Sequence, residues 1–433
     1  MNRIILIGNG FDLAHGLKTS YRDFINNYWR DFIQKVSNNI FRPYEDEFVK
    51  FVTNGRFTSL YEAICASQSG VNNEKGYDYE AIMNIFHQEL IKDSSYINIK
   101  QLISSFNDAS DLKLDLSFKN RFFKHISEKN CLKNWVDIEN EYYEQLKNAI
   151  DNKAACVKKL NSDFEQIKDE LGRHLTKKTE NKLYQERKIR DLIYAKINAR
   201  DFTKAGIDRL VKENLNQYLE GKKYENKKTI DLYKLIEEEK NEGLIKNDEE
   251  YFEREIDKTE ICPKNILFLN FNYTNTSSKY LWESRSRKYM AIHIHGELNN
   301  HKNPIIFGYG DELDEDYQKI ERLNDNQYLK NVKSINYTKT NNYRRLQNFI
   351  DTDYYQIFIL GHSCGNSDRT LLNKLFQHPN CVSIKPFYYK CSNGTDNYDE
   401  IVMNVSRNFT NKSAFREKIV NRTYCKELPQ AKT

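Results

Sequence analysis

The chain has 433 residues, and 67 basic against 62 acidic side chains leave a formal charge of +5. This length exceeds what one hydrophobic core usually serves, so we expect roughly two or three structural units. The small positive excess does not support a nucleic-acid surface. The 24 Phe and 29 Tyr residues exclude an intrinsically disordered chain, and no apolar run approaches the roughly 20 residues of a membrane-spanning helix.

The N-terminal residues do not have the pattern of a secretory signal. Gly8 and Asp12 interrupt the apolar run at residues 4–7 before a secretory core of about 7 to 15 residues could form. The eight cysteines include no Cys-x-x-Cys pair, which argues against a zinc ribbon and for reduced thiols. We therefore expect a cytoplasmic protein that does not associate with a membrane.

The first 30 residues predict a strand, a glycine turn and a helix. Residues 3–7, apolar after Arg3, are rich in β-branched side chains, the pattern of a strand buried on both faces of a parallel sheet. Gly8-Asn9-Gly10 ends this run. Thr19 and Ser20 can cap a helix, because apolar side chains then recur at helical spacing over residues 21–29.

The middle of the chain has helical patterns. Residues 45–150 are predicted to be mostly helical, with one helix face marked by Trp135, Ile138, Tyr142 and Leu146. After residue 150, apolar side chains alternate steps of three and four, which is typical of the seam of a helical hairpin. This seam comprises Val157, Leu160, Phe164, Ile167 and Leu171, and the pattern continues through Ile189, Ile193 and Ile197 to Leu232, Leu235 and Ile236. Because Lys and Glu fill the other positions, we expect a lid or an assembly surface.

Strand-like runs return after Pro263. They comprise residues 266–271, 291–294, 305–307, 355–360 and 382–389. With the strand at residues 3–7, they predict an α/β fold whose Rossmann-like parallel sheet is built from both chain ends, with a large helical insertion between them. The predicted domains are 1–45 with 262–433 as the nucleotide-binding domain, 46–150 as a helical segment packed on it, and 151–261 as a charged helical insertion.

The glycine turn is the first candidate binding site, since ligands of open α/β sheets bind at the carboxyl ends of the strands. Gly8 and Gly10 would let backbone N–H groups approach a pyrophosphate, with Asn9 between them. Asp12 could bind a ribose hydroxyl or cap the helix. A plain tight turn is the alternative, because the spacing to Gly16 departs from the dehydrogenase pattern Gly-x-Gly-x-x-Gly.

Two further strand ends carry polar residues. Asn270 and Asn272 follow one strand, where Asn is also a common turn former. His293 and His295 lie on the same face of the next strand, because side chains alternate along a strand. A metal pair is one interpretation, although no third ligand has a recognised spacing. A hydrogen-bonded packing histidine is the other, and we expect no metal.

The fourth strand end comprises Gly361-His362-Ser363-Cys364-Gly365. It satisfies the hydrolase pattern Gly-x-Ser-x-Gly, so Ser363 could be a nucleophile. His362 is the wrong neighbour for its base, because adjacent strand residues point to opposite faces. Because this run also stands at the carboxyl end of a strand, Gly361 and Ser363 are candidates for ligand contacts.

In chain order, these motifs resemble those of the AbiH family of bacteriophage abortive-infection proteins. The matching runs are 7–17 with 19–21, 135–139, 270–274, 295–296, 361–363 with Asp368, and 428–430. The resemblance spans the chain except for the block at 150–260. It implies a role in antiviral defence.

A more distant resemblance is to the sirtuin fold. Gly8, Gly10, Gly16 and Leu17 keep the spacing of its glycine motif, whereas Asp12 stands where Ser is usual. Other positions also match: Asn272 fits the Asn-Tyr-Asp element with Thr274 in place of Asp, His295-Gly296 fits the catalytic His-Gly, and Gly361-x-Ser363 fits the late Gly-x-Ser. This resemblance implies NAD as a substrate or ligand.

The resulting hypothesis is a defence effector that hydrolyses the N-glycosidic bond of NAD. His295 would be the base and Asn272 would orient water or ribose, with a histidine pKa near its ordinary value. Asp137 or Glu139 would supply a second carboxylate, and the alternative is that these side chains lie on a solvated helix face. We also expect a homo-oligomer and a phage-derived trigger. The alternative is a nucleotide-binding sensor or scaffold without turnover.

Overall fold

The computed structural model describes residues 1–38, 43–54, 96–109, 113–133, 137–150, 155–179, 185–203, 205–206, 262–281 and 288–431. Its strands are β1 (Asn2–Ile7), β2 (Tyr44–Glu45), β3 (Val49–Asn54), β4 (Lys113–Phe118), β5 (Asn265–Asn270), β6 (Lys288–His293), β7 (Tyr355–Leu360), β8 (Cys381–Tyr388) and β9 (Lys426–Glu427). Trp135 and the predicted helical positions Leu232, Leu235 and Ile236 lie outside the described residues.

The helices were predicted from apolar spacing, and those at residues 21–29, 138–146 and 157–171 are confirmed. The described α-helices are α1 (Asn9–Ala14), α2 (Tyr21–Asn38), α3 (Tyr96–Ala109), α4 (Arg121–Lys133), α5 (Ile138–Asn148), α6 (Ala155–Thr179), α7 (Arg187–Ile193), α8 (Glu315–Arg322), α9 (Asn326–Leu329), α10 (Lys333–Asn336), α11 (Asn342–Thr352), α12 (Arg369–Gln377), α13 (Tyr398–Arg407) and α14 (Lys412–Lys418). Ser20 caps α2 as expected, since its Oγ accepts the N–H of Asp23 at 3.0 Å. No described helix is long and apolar enough to cross a membrane.

The main sheet has six parallel strands in the order β6-β5-β1-β7-β8-β9. In order of occurrence along the chain this is 3-2-1-4-5-6, the order of the doubly wound dinucleotide-binding folds. β1 lies in the middle, with Ile4 paired to Leu267 of β5 and to Ile357 of β7. The predicted parallel sheet built from both chain ends is therefore confirmed; its likeness to sirtuins stays a prediction.

Both faces of β1 are buried, which explains why its residues 4–7 are all apolar. Ile4 and Leu6 belong to a hydrophobic cluster that includes side chains of α12. Ile5 and Ile7 belong to a second cluster that includes Ile189 and Ile193 of α7. Burying one such side chain contributes about 1.5–3 kcal/mol, so β1 anchors helices on both faces of the sheet.

Two elements differ from the sequence prediction. Residues 305–307 do not form a sheet strand, because this short run follows Pro304, which has no N–H to donate to a ladder. Ile306 and Phe307 are buried instead. The region predicted as mostly helical contains a small antiparallel sheet, β2-β3-β4, and the signal missed was the alternation of apolar and polar residues over 113–118.

The chain divides into two compact units. One comprises residues 1–17, 176–322 and 331–433 and contains the main sheet; the other comprises residues 18–175 and 323–330. The three-part division predicted from the sequence stays a prediction. Within the sheet unit, the guanidinium of Arg3 donates to the carbonyls of Ile193 and Ala195 at 3.0 and 2.6 Å. This buried arginine fixes the end of α7 against the sheet.

Candidate functional site

The glycine turn after β1 lies directly against the end of β7. The N–H of Gly10 donates to the carbonyl of Gly361 at 2.8 Å, and that of Gly8 donates to Leu360 at 3.3 Å. A Cβ on Gly8 would lie 2.5 Å from Cα of His362, and one on Gly10 would lie 2.8 Å from Cα of Gly361. The space left by these glycines is therefore filled by backbone, and the Gly10 N–H is not available to a phosphate.

The remaining residues of the turn lie on or beside a short helix. Asn9 begins α1, and Gly16 follows its last residues with φ of +76°, a conformation that favours glycine at the end of a helix. A Cβ on Gly16 would meet nothing within 4 Å. Gly16 is therefore explained by backbone conformation, and a contact of Gly16 with a ligand stays a prediction.

Asp12 and Asn272 come together beside the glycine turn. Thr274 Oγ1 donates to Asp12 Oδ2 at 2.6 Å, and Asn272 Nδ2 donates to the carbonyl of Gly8 at 3.0 Å. Asp12 is buried, and its Oδ1 has no hydrogen-bond partner among the described residues. Burial raises the pKa of the carboxyl to about 6, although the hydrogen bond from Thr274 opposes this shift.

The histidines after β6 have different partners. His293 Nδ1 lies 3.2 Å from Asn270 Nδ2, whereas His295 Nε2 lies 3.1 Å from the hydroxyl of Tyr337 and 3.2 Å from Asp368 Oδ1. His295 is only 3 % exposed. Burial and the nearby Lys333 ammonium lower the pKa of His295 to about 4, despite the attraction of Asp368. The expectation of an ordinary pKa was therefore wrong.

Asp368 is the centre of a buried group, which we call the Asp368 cluster, comprising Asp368, Lys333, His295 and His362. Asp368 Oδ1 accepts a hydrogen bond from Lys333 Nζ at 2.8 Å, and Asp368 Oδ2 lies 3.5 Å from His362 Nε2. Burial favours protonation of the Asp368 carboxyl, but Lys333 and the two imidazoles hold its pKa well below its ordinary value. The cluster thus holds an ionised carboxylate in the interior.

The glycine turn and the Asp368 cluster both lie in a part of the chain that matches a known protein family. A family model described as bacteriophage abortive infection AbiH matches residues 4–389. The chain belongs to the AbiH family. No match was found among curated proteins or among solved structures. Membership makes this chain a phage abortive-infection protein, and the match covers the glycine turn as well as the Asp368 cluster.

The hydrolase pattern of this AbiH chain does not form a nucleophile elbow. Ser363 is exposed, and no hydrogen bond joins its Oγ to a described imidazole. The positive φ of 55° falls at Cys364 instead, and burial raises the pKa of the Cys364 thiol. The Nδ1 of His362 accepts the backbone N–H of Cys364 at 2.9 Å. These contacts do not favour serine hydrolysis.

The other predicted site residues have structural partners. Asp137 caps α5 by accepting the N–H groups of Glu139 and Asn140 at 3.1 Å each. Glu139 is buried in the same unit. A role for Asp137 or Glu139 as the second carboxylate stays a prediction. In the part of the chain that the structure describes, no group of three or more His, Cys, Asp or Glu side chains could hold a metal.

Sequence reasoning missed Lys333 altogether. It lies in the polar run Asn331-Val332-Lys333-Ser334, which has no motif, yet its side chain is completely buried. Its backbone N–H donates to Tyr309 at 2.8 Å, and this places it at the start of α10. Asp368 could be identified only as part of the motif after Ser363, since nothing in the local sequence pairs it with a lysine.

The raised pKa of Asp12 predicts a specific pH dependence of stability. Folded Asp12 keeps its proton up to about pH 6, whereas the unfolded carboxyl loses it near 3.8, so its contribution to stability is present below pH 3.8 and is lost as the pH rises through 6. This change is about 3 kcal/mol. Asp12→Asn lacks the titration, so the stability of the variant relative to wild type is expected to increase by about 2.4 kcal/mol between pH 4 and pH 7.5, since part of the change is complete at pH 4.

Urea unfolding of both proteins at several pH values measures this difference. Comparing the two cancels the other titrating groups, including His295. A difference in unfolding free energy that stays constant over this range would contradict a buried Asp12 carboxyl.

Proposed function

We propose that this AbiH-family chain is an abortive-infection effector that binds a nucleotide such as NAD at the carboxyl edge of its main sheet and hydrolyses the N-glycosidic bond. The observation that carries the proposal is the set of polar residues after β1, β5 and β6, namely Asp12, Asn272 and His295. These strands are neighbours in the sheet. The sheet order reverses direction between β1 and β7, and such a switch point is where doubly wound sheets bind ligands.

The site residues then have defined roles. The partnerless Oδ1 of Asp12 accepts a hydrogen bond from a ribose hydroxyl, and Asn272 orients the attacking water. Water attacks C1′ of the nicotinamide ribose, nicotinamide leaves with the electrons of the broken C–N bond, and His295 takes the proton of the water. Gly8, Asn9, Gly10, Gly16, Gly361 and Ser363 are proposed to line the rest of the nucleotide.

The burial of His295 bears on when such a reaction would occur. A base that is 3 % exposed has to be uncovered before a dinucleotide can reach it. We therefore include in the proposal a phage-derived trigger that opens the site, which would keep NAD intact in uninfected cells. Self-assembly through the block at 151–261 is part of the same proposal.

Nicotinamide release from NAD by protein purified from uninfected and from infected cells tests this function. We expect release after infection, and His295→Gln is expected to lower the rate by about 10² to 10⁴, the usual contribution of a general base. His378→Gln is the matched control, since His378 forms another His–Asp pair, 3.1 Å from Asp351, just before β8. Intact NAD binding without release in either preparation would contradict hydrolysis.

A nucleotide-binding scaffold without turnover is the second candidate. Two observations favour it: the Gly10 N–H already donates to Gly361, and a pKa of about 4 makes His295 a weak base. Under this alternative, cells carrying His295→Gln resist phage as well as wild-type cells do, whereas loss of nucleotide binding in Asn272→Ala abolishes resistance. Loss of resistance with His295→Gln, while NAD binding is kept, favours hydrolysis.

A further inference from the structure

We infer that Asp368 and Lys333 are positioning residues for His295: Asp368 holds the imidazole with its proton on Nε2, and this leaves Nδ1 as the nitrogen that accepts a proton. Only the catalytic consequence of this arrangement rests on the proposed function. The arrangement itself concerns the neutral imidazole in the folded chain.

Lys333 determines the charge of the Asp368 carboxylate. Lys333 Nζ donates to Asp368 Oδ1 at 2.8 Å, and both side chains are buried. Because an ammonium has only donors and a carboxylate only acceptors, this contact has one possible direction. Since the pKa of Asp368 lies well below its ordinary value, Oδ1 carries negative charge at neutral pH.

The position of the His295 proton follows from this charge. Nε2 lies 3.2 Å from the ionised Oδ1, and a lone pair on Nε2 would face negative charge there. With a pKa of about 4, the imidazole has only one proton at neutral pH, so the favoured place is Nε2. The hydroxyl of Tyr337, 3.1 Å from the same nitrogen, can then accept. Nδ1 of His295 has no hydrogen-bond partner among the described residues.

The contacts of His362 also direct an imidazole N–H to Asp368. His362 Nδ1 accepts the backbone N–H of Cys364 at 2.9 Å, so this nitrogen has no proton of its own in that contact. The ring proton of His362 therefore lies on Nε2, which is 3.5 Å from Asp368 Oδ2. Each carboxylate oxygen thus faces one imidazole N–H, and Lys333 balances the charge.

A merely structural ion pair would stabilise the fold without selecting a tautomer. Long-range ¹H–¹⁵N correlation spectra distinguish the protonated ring nitrogen of a histidine from the unprotonated one. Recorded at neutral pH on the full chain labelled with ¹⁵N-histidine, they separate a positioning role of Asp368 from a merely structural ion pair. The spectrum of His295→Gln assigns the His295 signals. We expect the Nε2–H tautomer in the wild type and a shift toward Nδ1–H in Asp368→Asn.

The wild-type tautomer is determined without Asp368→Asn, so the inference stays testable if that variant does not fold. A proton on Nδ1 of wild-type His295 would overturn it, as would an unchanged tautomer in folded Asp368→Asn. For nicotinamide release, we expect Asp368→Asn to lower kcat at least about 10²-fold with little change in KM. If no form releases nicotinamide while His295 is found as Nε2–H, the proposed function fails and the positioning role stands.

Discussion

Replacing Gly361 with alanine is expected to destabilise the protein by more than about 4 kcal/mol, a large part of the total stability of most domains. The new Cβ would lie 2.1 Å from the backbone N of Phe11 and 2.4 Å from the carbonyl carbon of Gly10. Backbone atoms cannot rotate away as a flexible side chain can. The φ of +74° adds a second cost, because an L-residue in this conformation loses about 1–2 kcal/mol.

Alanine substitutions at Gly16 and Gly365 separate the steric clash of the new Cβ from the cost of a positive φ. Gly16→Ala has a φ of +76° and open space around the new Cβ, so it should lose only about 1–2 kcal/mol. Gly365→Ala has an ordinary φ of −68°, and its nearest neighbour is Ser363 Oγ at 3.7 Å, so its midpoint of urea unfolding should not change. If Gly361→Ala loses no more stability than Gly16→Ala, the backbones of the glycine turn and β7 are not in contact.

Lys333→Met is expected to lower the free energy of unfolding by about 3–5 kcal/mol, because it leaves the buried Asp368 charge with no cation. Lys333 is completely buried and pairs with Asp368 at 2.8 Å. In the wild type, the lowered pKa of Asp368 gives stability that is lost as the pH falls. In the variant, burial without the ammonium should raise the pKa of Asp368. The stability difference between Lys333→Met and the wild type should therefore shrink as the pH falls and the carboxyl becomes neutral.

Lys319→Met is the matched control, because Lys319 pairs with Asp316 at 2.6 Å on the surface and its removal should leave the midpoint unchanged. The double variant Lys333→Met/Asp368→Leu removes both charges and should be more stable than Lys333→Met alone. Urea unfolding at pH 5 and pH 8 measures both effects. A single variant as stable as the double one at both pH values would show that Asp368 has no need of the lysine.

The main sheet could be predicted because each of its longer strands has a sequence that local rules can recognise. A strand buried on both faces is mostly apolar, and residues 4–7 and 357–360 are entirely so. The run at 305–307 has the same composition but is too short, and it follows a proline. Whether an apolar run forms a strand therefore depends on its length and on the preceding residue as well as on its composition.

The candidate site was less predictable because its contacts join distant residues. Gly8 and Gly10 were interpreted as room for a phosphate, whereas the structure fills that room with the backbone around Gly361. Nothing near Gly8 in the sequence indicates a partner so far along the chain. Lys333 likewise has no motif, and its buried ammonium pairs with Asp368, which lies 35 positions further along the chain. The sequence identifies strand ends, but it does not show what covers them.

The central position of β1 has a consequence for how the protein is made. Its neighbours begin at residues 265 and 355, and ribosomes add about 5–20 residues per second, so β1 waits roughly 20 to 70 seconds for its second partner. Until β5 has been made, β1 has no strand to pair with, and exposed apolar segments of this kind make a nascent chain prone to aggregation. The glycine turn and the end of β7 meet only after that delay, so a chain released early from the ribosome has no assembled candidate site.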